Sequence, residues 1–185
     1  MRLLFIRFSS IGDIVLTTPA IRCAKNQIPG VEIHFLTKHS MKDLVIGNPH
    51  IDVCHFFDEN INETISALKE IHFDYIIDLH HNIRTWKIKR ALGVPVFAYK
   101  KLSLEKWLYA KLKLNFLPAT HICDRYIDTL SHFKVTNDGK GVDFYYPKEY
   151  SFNVSNLPTS HQAGFIAFVI GASYFNKKMP ATKWI

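Results

Sequence analysis

The stretch RFSSIGDIVLTTPAIR, residues 7–22, decides the fold. It overlaps an apolar run at residues 3–8 that is rich in strand-forming side chains and predicts a buried first strand. Apolar or small residues then recur at helical spacing, at Ile14, Thr17, Ile21 and Ala24. A strand that passes through a short polar segment into a helix is typical of the first unit of an α/β domain.

Asp13 and Pro19 decide where this helix begins. Asp13 fits an N-cap or first-turn position, where its carboxylate meets the positive end of the helix dipole. Pro19 allows two interpretations: it kinks a helix that begins near Asp13, or it is the first residue of a helix capped by Thr18. We favour the kinked helix, which ends at the IPG sequence of residues 28–30.

The strand-to-helix pattern repeats along the chain. Strands are predicted at residues 31–38, 51–57, 73–80 and 94–99, and helices at 40–47, 62–71 and 83–93, the second of them capped by Asn62. This alternation implies a parallel sheet with helices on both faces, a Rossmann-like domain that binds ligands beyond the carboxyl ends of its strands. The sequences SSIGD (residues 9–13) and DLHHNIR (residues 78–84) both lie at such ends.

The last third of the chain predicts a domain boundary. Helices are predicted near residues 103–114 and 121–133, and the polar, turn-rich segment 147–162 is interpreted as a linker. A buried strand at residues 164–173 would then open a second domain. We therefore expect a Rossmann-like domain at residues 1–146, a linker at 147–162 and only the start of the second domain at 163–185.

Composition favours a globular protein with an anionic partner. Of the 185 residues, 48% are hydrophobic and 21% charged, and the net charge is +7. Such a balance suits nucleic acid, a phosphorylated substrate or a membrane surface. We expect a cytoplasmic location, because there is neither a secretory signal pattern nor an apolar run of about 18 residues. Cys23, Cys54 and Cys123 are expected to be reduced thiols.

The SSIGD sequence is the first candidate site. Gly12 is expected to allow a tight turn there, and the serine hydroxyls and exposed N–H groups could meet an anion or a sugar. Asp13 is either a simple helix cap or a catalytic carboxylate, and its place at a strand end supports the second role. The chain lacks the glycine pattern of a dinucleotide site and the lysine of a P-loop at this position.

The DLHHNIR sequence is the second candidate site. Adjacent histidines on a strand point to opposite faces, and no carboxylate or cysteine completes a zinc set, so metal binding is disfavoured. We expect His80, Asn82 and Arg84 to recognise a substrate. An ordinary solvated helix start is the alternative.

The sequence YKKLSLEKWLYAKLKLNF, residues 99–116, is amphipathic and basic. Such a helix suits an anionic membrane surface, or it packs on its own domain while lysine stems cover apolar surface. We favour packing on its own domain. Nucleic acid is a weaker candidate partner, because no recognised nucleic-acid-binding motif is present.

Five stretches, taken in order, resemble glycosyltransferase family 9, the ADP-heptose:lipopolysaccharide heptosyltransferases. They are RLLFIRFSSIGDIVLTTPAI, NPHIDVCHFFDE, FDYIIDLHHNIRT, HICDRYIDTL and IGASYFNKKMPATKW. The resemblance implies a GT-B fold, in which an N-terminal domain binds the acceptor and a C-terminal domain binds the nucleotide-sugar. It also implies inverting, metal-independent transfer of heptose from ADP-heptose to the lipopolysaccharide core, without a cofactor. Peripheral contact with the cytoplasmic face of the inner membrane is a further partner that this function would allow.

The resemblance also implies roles for individual residues. Asp13 would be the base that deprotonates the acceptor, on a cleft floor shaped by Ser9, Ser10 and Gly12. Ser173 and Lys177 would hold the donor phosphates, and Arg84 is the best candidate for contact with the phosphorylated acceptor.

Three features depart from the family pattern. Met179 replaces a common tryptophan, and Arg7 replaces a common lysine. The family is also longer, so we expect this chain to cover the acceptor half. A non-catalytic module that binds anionic glycolipid or a membrane surface is the alternative function, since it needs no second domain.

Overall fold

The computed structural model describes residues 1–58, 60–147, 153–168, 174, 178 and 180–183. The chain divides into two compact units, Met1–Glu149 and Tyr150–Ile185. The first unit contains the whole sheet and the candidate site.

A five-stranded parallel sheet forms the centre of the first unit. Its strands are β1 (Arg2–Ile6), β2 (Glu32–Lys38), β3 (Val53–Phe57), β4 (Tyr75–Asp78) and β5 (Val96–Ala98). They lie in the order β3-β2-β1-β4-β5. The central strand β1 pairs with both β2 and β4, so that Phe5 lies opposite Phe35 and Ile77. The predicted Rossmann-like sheet is confirmed.

The described residues contain seven α-helices, six in the first unit and α7 in the second. They are α1 (Ile11–Val15), α2 (Thr18–Gln27), α3 (Ile61–Lys69), α4 (Ile83–Leu92), α5 (Ser103–Leu112), α6 (Ile122–Ile127) and α7 (Thr159–Gln162). Short 3-10 helices lie at His39–Leu44, Asp128–Phe133, Val154–Asn156 and Ala181–Lys183. The helix predicted at residues 40–47 is thus a 3-10 helix, and the one predicted at 121–133 is α6 followed by a 3-10 helix.

Both faces of the sheet are buried. Leu3 and Phe5 belong to one hydrophobic cluster, which also contains residues of α2 and α6. Leu4 and Ile6 belong to a second cluster with residues of α3 and α4. Successive side chains of a strand point to opposite faces, so this division places helices on both sides of the sheet. The carboxyl ends of the strands are left for a ligand.

The start of the helical region differs from the favoured prediction. The kinked helix is wrong, because α1 ends before Leu16 and α2 begins separately at Thr18. Thr17 is the N-cap of α2, one residue earlier than the alternative prediction placed it. Pro19 lies in the first turn of α2, where its missing N–H leaves no helical bond unmade.

The cap of α3 also differs. Asn60, rather than Asn62, is the N-cap, and its Oδ1 accepts a hydrogen bond of 3.1 Å from the backbone N–H of Asn62. Asn60 has the extended backbone of a cap residue, whereas Asn62 already lies inside the helix.

The second unit is described in part. Within the predicted linker, residues 153–162 form the 3-10 helix Val154–Asn156 and helix α7. Residues 164–168 of the predicted strand are not in a strand, and residues 169–173 lie outside the described residues. The boundaries predicted at 146, 162 and 185 stay predictions.

Helix α5 does not pack as predicted. It contains no buried residue, and Leu104, Trp107 and Leu112 are each more than half exposed. The favoured packing of this helix against its own domain is therefore wrong. Across the part of the chain that the structure describes, no helix is both long enough and apolar enough to span a membrane.

Candidate functional site

Arg7 lies at the centre of the candidate site. Its side chain is buried, yet its guanidinium meets three different segments. Nε donates to the carbonyl oxygen of Ser9 at 2.8 Å, and Nη1 donates to that of Leu79 at 2.5 Å. Nη2 lies 2.5 Å from Oδ2 of Asp13. One cation thus joins the end of β1, the residue after β4 and the first turn of α1.

Asp13 lies at the third position of α1, after the N-cap Ser10, which confirms the predicted first-turn position. Its Oδ2 accepts hydrogen bonds from Ser10 Oγ at 3.0 Å and from Ser10 N at 3.3 Å. Partial burial raises the pKa of Asp13, but the charge of Arg7 and the two bonds from Ser10 outweigh it. The pKa is therefore held below its ordinary value, and Asp13 is ionised at neutral pH.

Asp13 faces a cleft of about 440 Å³ at the carboxyl end of the sheet. The cleft is lined by Arg7, Asp13, Tyr99, Lys101, Leu102, Ser103, Lys106, Ile122, Arg125 and Tyr126. Four of these side chains are basic and one is acidic, so the cleft attracts an anionic ligand. Below, this space is called the Asp13 cleft.

Gly12 has a different role from the one predicted. It lies inside α1 rather than in a tight turn, and its backbone is not among the left-handed positions of the chain. A Cβ added there would meet nothing within 4 Å. The space beyond Gly12 is open, which fits the floor of a binding site and removes the turn as a reason for glycine.

The predicted second site is divided by the structure. Asn82 is the N-cap of α4: its Oδ1 accepts from Thr85 N at 2.9 Å, and its own N–H donates to Thr85 Oγ1 at 3.0 Å. The amide oxygen of Asn82 is therefore used by the fold. Arg84 lines a separate pocket of about 550 Å³, together with Lys38, Ser40, Phe57 and Asp58.

The His80 ring is affected by the positive charge of Arg7, which lines the Asp13 cleft. The ring packs against Phe8, with centroids 4.8 Å apart. Burial, followed by the positive charge of Arg7, lowers the pKa of His80 to about 4, so the imidazole is neutral at pH 7. Its buried Nδ1 has no hydrogen-bond partner among the described residues.

A buried ion pair supports the loop that carries His80. Asp78, at the end of β4, is fully buried, and its Oδ1 accepts from the backbone N–H groups of His80 at 3.0 Å and His81 at 2.8 Å. Lys89 Nζ lies 2.7 Å from the other oxygen. Burial by itself raises the pKa of Asp78. Lys89 and the hydrogen bonds to the carboxylate lower the pKa by more than burial raises it, so Asp78 is ionised.

The remaining predicted residues fall outside these sites. Ser173 and Lys177 lie outside the described residues, so their roles stay predictions. In the described parts of the chain, no group of three or more His, Cys, Asp or Glu side chains is placed to hold a metal ion.

Sequence reasoning missed Arg7, Lys101, Lys106 and Arg125 as site residues. The two lysines lie in the basic stretch between residues 84 and 113, which was a visible signal. The pattern alone did not separate lysines that face the cleft from those that face solvent.

The chain is similar in sequence and fold to known glycosyltransferases. No family model matches the chain. The curated lipopolysaccharide heptosyltransferase 1 of Pseudomonas aeruginosa is 21% identical over an alignment of 206 residues, which covers 100% of this chain and 56% of that protein. A crystal structure of a family 9 glycosyl transferase from Veillonella parvula has a TM-score of 0.70 and 21% identity, over 99% of this chain and 57% of that one. The resemblance to glycosyltransferase family 9 is confirmed.

A second solved structure shares the fold. The E. coli heptosyltransferase WaaC with ADP has a TM-score of 0.66 and 18% identity, over 100% of this chain and 62% of that one. The chain thus spans between 56% and 62% of the length of these three relatives. The fold of the family 9 structure is shared over this span. In this chain the Asp13 cleft lies at the carboxyl end of the parallel sheet.

Proposed function

We propose that this chain is the acceptor-binding domain of a family 9 glycosyltransferase that transfers heptose from ADP-heptose to the lipopolysaccharide inner core. The single observation that supports this most is the setting of Asp13. It is a carboxylate kept ionised by Arg7 inside a basic cleft, at the end of the sheet where α/β domains bind ligands. The identities of the sugar donor and the acceptor are inferred from the family resemblance.

In this proposal Asp13 is the general base. The hydrogen bonds and ion pair that it makes with the described residues all fall on Oδ2, which leaves Oδ1 to accept a proton. The acceptor O–H gives its proton to Oδ1 while the acceptor oxygen forms a bond to the anomeric carbon. The bond from that carbon to the ADP oxygen breaks, and ADP leaves with the bonding electrons. A single displacement of this kind inverts the anomeric centre.

The lowered pKa of Asp13 shapes the timing of this step. A carboxylate with a low pKa is a weak base, so it cannot remove the hydroxyl proton before the attack begins. Proton transfer must accompany formation of the new C–O bond. Ser10 and Arg7 fix the carboxylate for this moment, while neutral His80 adds no competing positive charge.

The acceptor is held by charge in this proposal. Lys101, Lys106 and Arg125 line the Asp13 cleft and would bind phosphate or carboxylate groups of the inner core. Arg84, with Lys38 and Ser40 in its own pocket, would bind a further anionic group. Ser9 and Gly12 would form the floor beside Asp13.

Donor binding and location complete the proposal. Ser173 and Lys177 would hold the diphosphate without a metal ion, with lysine charge stabilising the departing ADP. The proposed location is the cytoplasm, which is consistent with the three free cysteines Cys23, Cys54 and Cys123.

Mapping of backbone amide resonances tests the proposed division of labour. A phosphorylated inner-core fragment should shift the resonances of residues 9–13 and of Lys101 and Lys106. ADP at the same concentration should leave these resonances in place. Shifts of residues 9–13 caused by ADP, with none caused by the acceptor fragment, would make this cleft a nucleotide site and overturn the proposal.

A further inference from the structure

Helix α5 and the residues after it expose an unusual amount of apolar surface. Leu104 is 65% exposed, Trp107 53% and Leu112 55%, and Leu114 and Phe116 behind them are also exposed. Helices of folded domains bury one face, whereas no residue of α5 is buried and only Glu105 and Leu108 are half-buried. A contiguous exposed apolar patch of this kind marks an interaction surface. Residues 104–116 are called the α5 surface below.

The positive charge in and directly before the α5 surface favours an anionic partner. Five lysines lie between residues 99 and 116, at Lys100, Lys101, Lys106, Lys111 and Lys113. Glu105 is the only acidic residue in this stretch, and it lies 3.7 Å from Lys100. Lysines that alternate with leucine and tryptophan complement a surface that is anionic outside and apolar beneath.

Helical spacing places apolar and basic side chains on the same face of α5. Leu104, Trp107, Leu108 and Lys111 recur at intervals of three and four residues, which brings them to one face of α5. Leu112 extends this face by another turn. Tryptophan is favoured at the boundary between lipid headgroups and acyl chains, because its ring is apolar while its N–H can meet polar groups.

The α5 surface adjoins the Asp13 cleft. Lys101, Leu102, Ser103 and Lys106 line that cleft, and they belong to the first turns of α5 or directly precede it. Whatever covers the α5 surface therefore lies beside the carboxylate of Asp13. An acceptor embedded in a bilayer by its lipid part would need such an arrangement.

We propose that the α5 surface is the contact of this protein with an anionic lipid bilayer. Trp107, Leu104 and Leu112 enter the headgroup region, and Lys111 and Lys113, which do not line the Asp13 cleft, meet lipid phosphates. The inference draws on the proposed function only for the lipid-linked acceptor. The contact itself involves no transfer step, so it would equally serve a non-catalytic module that binds anionic glycolipid.

Vesicle sedimentation tests this inference without any sugar donor. Wild-type protein should bind vesicles that contain phosphatidylglycerol, bind vesicles of phosphatidylcholine alone more weakly, and lose binding as salt screens the lysines. The double change of Trp107→Ala and Leu112→Ala should weaken binding at least about tenfold, because two side chains no longer enter the lipid. Trp86→Ala is the matched control, since Trp86 is 52% exposed on α4.

Three results would overturn the inference. The first is that wild-type protein shows no dependence on phosphatidylglycerol. The second is that Trp86→Ala weakens binding as much as the α5 double change. The third is that sedimentation equilibrium shows a dimer that Trp107→Ala dissociates, which would assign the surface to a second copy of the chain. None of these measurements depends on transferase activity, so failure of this inference is distinct from failure of the proposed function.

Discussion

The Arg7 guanidinium lies 2.5 Å from the Asp13 carboxylate and also binds the carbonyl oxygens of Ser9 and Leu79. The ends of two neighbouring strands and the candidate base are therefore held by one buried side chain. Arg7 fixes both the position and the ionisation of Asp13.

Loss of the Arg7 charge should raise the pKa of Asp13. In Arg7→Met, partial burial of the carboxyl is opposed only by the bonds from Ser10. In the wild-type protein the pKa of Asp13 is below its ordinary value, so the carboxylate becomes protonated only when the pH falls through that low pKa. In Arg7→Met the loss should begin at higher pH. A carbon NMR titration of the Asp13 carboxyl group measures this directly.

Arg7→Lys is the matched variant for this titration. It keeps the charge but cannot reach three acceptors at once, so its Asp13 pKa should lie between those of wild type and Arg7→Met. Equal Asp13 pKa values in all three proteins would show that Arg7 does not set the ionisation of this group.

Asp13→Asn should abolish base catalysis while sparing acceptor binding. In a transferase that includes the donor-binding part, turnover should fall by about 10²–10⁴, the usual contribution of a positioned base. Glu70→Gln is the control, because Glu70 is an exposed carboxylate at the end of α3. Turnover of Asp13→Asn equal to that of the control would remove Asp13 from the mechanism.

Gly12→Ala should separate folding from binding. Alanine is favoured over glycine inside a helix by about 0.5–1 kcal/mol, and the added Cβ meets no atom within 4 Å. The melting temperature should therefore stay equal or rise, while the methyl group weakens acceptor binding at the cleft floor.

Gly93→Ala gives the opposite pattern and serves as its control. Gly93 has φ +66°, which strains any other residue, so this variant should be less stable yet bind acceptor normally. Unchanged acceptor affinity in Gly12→Ala would mean that the acceptor does not approach α1.

Removal of the Lys89 charge should destabilise the fold. Lys89→Met leaves the carboxylate of Asp78 fully buried without its cation, a change that typically costs about 3–5 kcal/mol. Lys87→Met on the exposed side of α4 should change the free energy of unfolding by less than about 0.5 kcal/mol. Urea denaturation of the two variants measures the difference, and equal midpoints would show that the buried pair does not stabilise the protein.

Acid should weaken the same pair in the wild-type protein. The pKa of Asp78 is lowered in the folded state, so its stabilisation is complete above the pKa of the unfolded chain. It is lost as pH falls through the folded value. The dependence of stability on pH in this range should therefore be smaller in Lys89→Met than in wild type.

The sheet could be predicted from the sequence because each of its strands is marked by a pattern of neighbouring residues. Each strand is a short apolar run followed by a helical repeat, and parallel order follows from that alternation. Asp13 could be placed for the same reason, since the polar segment follows the first strand directly. The separation of α1 from α2 was missed because a proline in a first turn and a proline in a kink leave similar patterns.

The cleft and the α5 surface depend on tertiary contacts. Lys101 and Lys106 line the cleft while Lys111 does not, although all three lie in the same basic stretch. The amphipathic pattern of residues 103–114 is the same for a helix that packs on its own domain and for one that meets a membrane. Exposure of Trp107 in the folded chain separates the two cases.

Isothermal titration of this chain with a phosphorylated inner-core acceptor fragment, and separately with ADP, tests the central claim most directly. We expect acceptor binding that weakens when Lys101 and Lys106 are changed to alanine, and no ADP binding that depends on these two lysines. Tight binding of ADP that is lost with the same two lysines, without binding of the acceptor fragment, would contradict the assignment of the Asp13 cleft to the acceptor.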